Sequence, residues 1–243
     1  MYRELVDIAK HVGVFGNIEG VKVTGSSTST TMDAMDDQQT FVIKAKFKNP
    51  IPSFEGIFGI GQFSLLNGIL NIKNYKKDTA RITIKKHESF GVPESIIFVD
   101  EEGQQDIFRL KDKGFVKTPG TFNEPNYDIE FNPSKEKIKE FSDLSALYGS
   151  FESNFMPTVV DGHLRFYVGY EESANHNGFR IIERDVVGKL KAGLCWPIAL
   201  VLSILKLADN DKVTMSIGDK NLKITIETEL AVYNYILPAK RTV

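Results

Sequence analysis

The side chains able to make or break bonds are few and scattered. The four histidines, His11, His87, His163 and His176, fall in no metal-ligand spacing such as His-Glu-x-x-His. The single cysteine, Cys195, rules out an internal disulfide and every multi-cysteine metal cluster. Beside Trp196 in an apolar run, it reads as a core thiol. The neighbouring carboxylates Asp36–Asp37, Glu101–Glu102 and Glu171–Glu172 could serve as acid and base, but they sit in predicted turns and read as solvated charge. Gly56, Gly59 and Gly61 could cradle a phosphate. Their run follows Ser53–Phe54–Glu55 rather than a clear strand and lacks the partners of a nucleotide site, so the glycines read as easing the chain into the helix that follows. No catalytic set, metal site or cofactor is expected, and the chain reads as not an enzyme.

Charge narrows the classes further. Thirty Lys and Arg against 32 Asp and Glu give a formal net charge of −2, so contact with nucleic acid would need charge sorted by face. A hydrophobic fraction of 42% and a charged fraction of 26% are those of an ordinary globular protein. No apolar run is long enough to span a bilayer, and no basic-then-apolar leader follows Met1. With one cysteine, these features lead to the expectation of a reducing cytoplasm, the host cell's if the protein is viral.

The elements that must position these residues repeat. Residues 1–112 and 127–243 each read as an amphipathic helix, a block of strands, a second helix and further strands, which makes two similar domains. In the first helix, over 2–14, Leu5, Ile8, Ala9 and Val12 share a face opposite Arg3, Asp7 and Lys10. Strands are predicted at 20–25, 28–35 and 40–48, a helix over 62–72, and strands at 80–86, 94–99 and 106–111, the last two joined by a turn at Gly103. After a connector at 113–126, punctuated by Gly114, Pro119, Gly120 and Pro125, come a short strand at 127–131 and a helix capped by Asn132 or Ser134. That helix buries Ile138, Phe141, Leu144 and Tyr148, leaving Lys135, Lys139, Ser142 and Ala146 on a lightly basic far side. Strands are predicted at 155–160, 163–170 and 178–185, with a hairpin at Asp161–Gly162; a helix over 194–208 precedes three last strands. Phe115 and Phe122 are odd in a solvated connector and either pin it to the body or line a surface groove. The fold class is α+β, with helices covering one face of an antiparallel sheet in each half.

Three stretches carry a family likeness. Thr31–Met32–Asp33–Ala34–Met35–Asp36, Phe141–Ser142–Asp143–Leu144–Ser145–Ala146–Leu147 within the third helix, and Tyr235–Ile236–Leu237–Pro238–Ala239–Lys240 resemble, in order, motifs of the ring-shaped DNA sliding clamps of the proliferating-cell-antigen type. Length and divergence look most like the clamps of T-even-type bacteriophages. One departure stands out: Ser142 occupies the place of the family's arginine.

The resemblance implies the DNA-clamp fold and a homotrimeric, head-to-tail ring encircling duplex DNA without reading its sequence. Its partners would be the replicative DNA polymerase and the clamp loader ATPase, with no membrane and no cofactor. Helices would line the hole, and Arg3, Lys10, Lys73, Lys76, Lys77, Lys135, Lys139 and Lys206 would face the DNA phosphates. A groove for partner peptides would gather Met35, Phe41, Phe115, Phe122, Ile236, Leu237 and Pro238. Subunits would pair edge strands through Ile107, Phe108 and Arg109 on one side and Phe179, Arg180, Ile181 and Ile182 on the other. The alternatives are a β-rich structural or assembly protein of a virion built on a duplicated domain, and a carboxylate-dependent nuclease or hydrolase.

Overall fold

The computed structural model describes residues 1–120, 125–169, 176–209 and 211–241. Phe122 and the Glu171–Glu172 pair lie outside the described residues. The chain forms two compact units, one of Met1–Phe122 with Glu229–Tyr233, the other of Asn123–Thr228 with Asn234–Val243.

The first unit contains α1 (Tyr2–Gly13), β1 (Gly20–Gly25), β2 (Thr30–Met35), β3 (Val42–Phe47), β4 (Gly56–Gly61), α2 (Phe63–Leu70), β5 (Arg81–Lys86), β6 (Pro93–Val99) and β7 (Gln105–Arg109). Its strands run antiparallel in the orders β4-β1-β2-β3 and β5-β6-β7. The α1 stripe is buried as its period requires: Leu5, Ile8 and Val12 are sealed from solvent, and Ala9 nearly so. The two helices lie antiparallel, with the Tyr2 hydroxyl donating to the Leu70 carbonyl at 2.9 Å at one end. At the other end a Cβ on Gly13 would lie 2.9 Å from Phe63 Cβ, so only glycine allows this approach.

The second unit contains β8 (Ile129–Phe131), α3 (Lys135–Tyr148), β9 (Asn154–Val160), β10 (His163–Val168), β11 (Gly178–Glu183), β12 (Leu194–Pro197), α4 (Ile198–Leu205), β13 (Lys212–Ile217), β14 (Asn221–Glu227), β15 (Ala231–Pro238, counted here from residue 234) and β16 (Lys240–Arg241). The orders are β15-β14-β13-β8 and β11-β10-β9-β12-β16. Ser134 supplies the predicted cap of α3, its Oγ accepting from the Lys137 N–H at 3.3 Å. Phe141 of α3 meets Phe155 and Phe166 edge to face, and the three ring centroids lie 4.6 to 5.2 Å apart. Trp196 joins them and donates from Nε1 to the Leu237 carbonyl at 3.1 Å.

Several sequence expectations shift. Residues 56–61 form a strand, β4, paired along β1, rather than a helix lead-in. Their glycines make room for neighbours: a Cβ on Gly59 would lie 2.3 Å from Val116 Cγ2, and one on Gly61 2.6 Å from Lys111 Cε. The helix expected over 194–208 begins only at Ile198, because residues 194–197 pair with β9 and β16. Asp36 is not solvated charge. Its buried carboxylate accepts from the Thr40 N–H at 2.7 Å, the Phe41 N–H at 3.0 Å and the Thr40 hydroxyl at 2.7 Å, which turns Phe41 into the core. The hairpin at Asp161–Gly162 holds, with both residues at positive φ, 53° and 74°.

Candidate nucleic-acid interface

In each unit the helix pair offers an outer face, and the two faces carry different charge. On α1, Arg3, Val6 and Lys10 follow one another along the side away from the buried stripe. Asp7 turns toward the core instead, where it accepts from the Tyr233 hydroxyl at 2.8 Å. Arg3 pairs with Glu229, both side chains well exposed. The outer face of α2 is uncharged: Ser64, Leu65 and Gly68.

The charge comes just beyond α2, on a single 3-10 turn, Lys73–Lys76, and the next residue. Antiparallel packing brings this turn to the Arg3 end of α1. Tyr75 anchors it. The ring is buried 5.5 Å from Phe98, and the hydroxyl donates to Asp106 Oδ2 at 2.7 Å. Burial first, and then the Asp106 carboxylate, push the Tyr75 phenol up to about 12. Asn74 Nδ2 donates to Asp100 Oδ2 at 3.0 Å, while Asp100 Oδ1 accepts from the N–H groups of Glu102 and Gln104. The Asn74 bond heads the causes that hold the Asp100 carboxyl below its usual range. Lys77 bonds Glu101, which raises the ammonium and lowers the carboxyl. Lys76 Nζ reaches Asn71 Oδ1 at 3.1 Å, and Lys73 is exposed with no ionic partner among the described residues. The structure thus gathers Lys73, Lys76 and Lys77 on one rigid turn but sets acidic residues behind it. The one signal for this anchor in the sequence is a lone tyrosine among lysines.

The second unit presents less free positive charge. On α3, Lys139 pairs with Asp143 at 2.9 Å and Lys137 with Glu140 at 2.8 Å, and Glu136 shares the exposed first turn with Lys135. The lightly basic face expected there is therefore close to neutral, because Asp143 and Glu136 stand on the same side as the lysines. Lys206, just past α4, is exposed beside Ser203 and Ala199.

The residues expected for peptide docking differ in exposure. Met35 is half-buried, Phe115 is 78% exposed and Pro238 is exposed. Phe41, Ile236 and Leu237 are core residues, so their side chains are not on offer as the chain stands. Phe115 pins nothing. Val116, packed over Gly59, and Lys117, paired with Asp37 at 2.6 Å, fasten the start of the connector instead.

The residues expected at subunit contacts lie on outer strands. Among the described residues β7 is paired only to β6 along its length and β11 only to β10. Ile107 and Phe179 are 54% and 39% exposed, and Arg109 is exposed beside Glu94. Arg180 and Ile181 are half-buried. Phe108 and Ile182 point into their own units' cores and leave only backbone to offer a neighbour.

Among the described residues no group of three or more His, Cys, Asp or Glu is placed to hold a metal ion. Nor is any described helix long and apolar enough to cross a membrane. No protein-family model and no curated protein matches the sequence. Solved structures do. PCNA of A. fulgidus, determined with the C-terminal region of FEN-1, superposes with a TM-score of 0.73 at 10% identity, over 100% of this chain and 97% of that one. PCNA from Thermococcus kodakaraensis superposes with a TM-score of 0.69 at 12% identity, over 99% and 97%. The chain has the sliding-clamp fold. At this identity the likeness lies in the fold and not in side chains, so the surface charge is this chain's own.

Proposed function

We propose that the chain is a sliding clamp, a DNA polymerase processivity factor of the phage type, whose three copies join head to tail around duplex DNA. The observation that carries this reading is that each unit of the clamp fold has an outer strand with one edge unpaired among the described residues, β7 in one and β11 in the other, of nearly equal length. Unlike edges on one chain favour a heterologous contact, which closes into a ring when the rotation allows it and removes both exposed edges. A ring holds DNA by topology, so the protein needs only weak, sequence-blind phosphate contacts and no bond chemistry. Lys10 and the turn bearing Lys73, Lys76 and Lys77 would supply the larger share, with Arg3, Lys135, Lys139 and Lys206 adding less. Exposed Phe115, with half-buried Met35, in the first unit and exposed Pro238 in the second would each be available to hydrophobic tails of the replicative polymerase and the clamp loader ATPase.

Light scattering should return three chain masses, and the protein should stay on nicked circular DNA but leave the same DNA once linearised. A concentration-independent monomer, or equal retention on both DNA forms, would defeat the proposal. For docking, Phe115→Ala should weaken polymerase-tail binding without altering stability. Leu237→Ser would instead report on the core.

A further inference from the structure

We propose that the first unit carries a second docking cleft, distinct from the residues assigned above to polymerase tails, which takes an extended peptide as an added strand on β4. The cleft encloses about 540 Å³ and is lined by Gly56, Ile57, Phe90, Val92, Asp112 and Lys113. Its origin lies in a ladder that stops short. Gly59 and Lys111 exchange both backbone bonds, each 2.8 Å, so the segment after β7 begins to run antiparallel along the outer edge of β4. One residue later it leaves. Asp112 Oδ1 accepts from the Gly114 N–H at 2.8 Å and coils residues 113–115 into a 3-10 turn. Val116 then closes back over Gly59. The place opposite Ile57, where Lys113 would have paired, is left open.

Hydrogen-bonding direction alternates along an antiparallel strand. Gly59 turns its N–H and C=O away from β1, so Ile57, two residues earlier, does the same. No backbone partner for Ile57 exists beyond the β1 ladder among the described residues. A donor and an acceptor thus face a cleft lined by the apolar Phe90 and Val92 and by the charged Asp112 and Lys113. The Ile57 and Phe90 side chains are 38% and 75% exposed, and Phe90 is held in place against the His87 ring, centroids 4.8 Å apart. The loop that presents it is tight, closed by the His87 N–H to Val92 carbonyl bond and the Gly91 N–H to His87 carbonyl bond, both 2.8 Å. Free main-chain groups beside an apolar notch are the requirements of strand addition: the backbone supplies affinity, and one side chain supplies selectivity. The occupant is therefore a short extended segment of another protein, one residue of which exchanges both backbone bonds with Ile57 while the segment lodges one large apolar side chain between Ile57, Phe90 and Val92.

The test uses the full chain and four capped hexapeptides with Ser/Thr flanks and Leu, Ile, Phe or Trp at the centre. At least one should bind saturably, with amide shifts at Ile57, Phe90, Val92, Asp112 and Lys113 and slowed exchange of the Ile57 N–H. Methylating the peptide nitrogen that pairs with Ile57 should abolish binding, and Phe90→Ser, at an exposed site that folding does not need, should weaken it about tenfold. Absence of saturable shifts for all four peptides at millimolar concentration would overturn the proposal. So would binding indifferent to N-methylation, or shifts centred on Phe115 or Pro238.

Discussion

The two helix pairs of this chain follow one packing plan and present different surfaces. In the first unit the outer face gathers positive charge at one place, the turn after α2, fixed by Tyr75 and Asn74. In the second, each lysine on the outer side of α3 stands beside a carboxylate one helical turn away or less, and the face is nearly neutral. Below these faces the aromatics are also arranged differently: in the second unit Phe141, Phe155 and Phe166 meet in one cluster, whereas the first unit buries more aromatics, among them the pairs Phe15–Phe41, Phe54–Phe58 and Tyr75–Phe98. Burial constrains the positions at which helices must meet a sheet, whereas exposed charge can differ at little cost.

The largest effect should come from the aromatic core. Phe166→Ala removes the ring that Phe141 and Phe155 both touch and should cost about 3–5 kcal/mol in denaturant unfolding; a loss under 1 kcal/mol would mean the cluster is not what holds α3. Next is the asymmetry of charge. Lys73→Ala, Lys76→Ala and Lys77→Ala together should reduce the slope of log affinity against log salt by about 2 to 3, at roughly 0.9 per phosphate contact. Lys135→Ala with Lys139→Ala should change it by less than about 1. Equal losses would erase the comparison.

A smaller effect, about 1 kcal/mol, is expected for Tyr75→Phe, which strands the Asp106 carboxylate. The Tyr75 contribution also has a pH window. Its phenol is raised to about 12, so the stabilisation is complete below the ordinary tyrosine value near 10 and lost as pH climbs through 12. Asp100 and Glu101 run the other way. Their lowered carboxyls stabilise the turn above the ordinary carboxylate range near 4 and release it as pH falls through the folded values. The protection factor of the Gln104 amide, whose N–H donates to Asp100, should fall on that acid side and stay unchanged between pH 6 and 8. Lys139→Ala should be the mildest change, a few tenths of a kcal/mol, about what an exposed i,i+4 pair contributes.

Much of the fold was legible in the chain. The stripe of Leu5, Ile8 and Val12, the alternation in β3 and β10, the Ser134 cap and the Asp161–Gly162 turn are local signals whose period or turn chemistry admits one reading. The misread segments are those whose partner is distant. The glycines of β4 make sense only against Lys111 and Val116, and residues 194–197 become a strand only because β9 and β16 lie alongside.

The same division holds for the candidate surfaces. By itself the sequence determined the duplicated helix–sheet unit, the lysines at the helix ends and the absence of any spaced catalytic or metal set, since these rest on residue type and period. Only the tertiary structure decided which charges are free. An exposed lysine and a paired one are identical in sequence, and whether Asp143 or Glu101 answers it depends on one helical turn or on a strand turn 24 residues away. It also decided that Asp36 is a buried cap, that Phe41 and Leu237 belong to the core, and that β4 keeps an open edge at Ile57. Burial and backbone pairing are properties of neighbours, and only folding assigns neighbours.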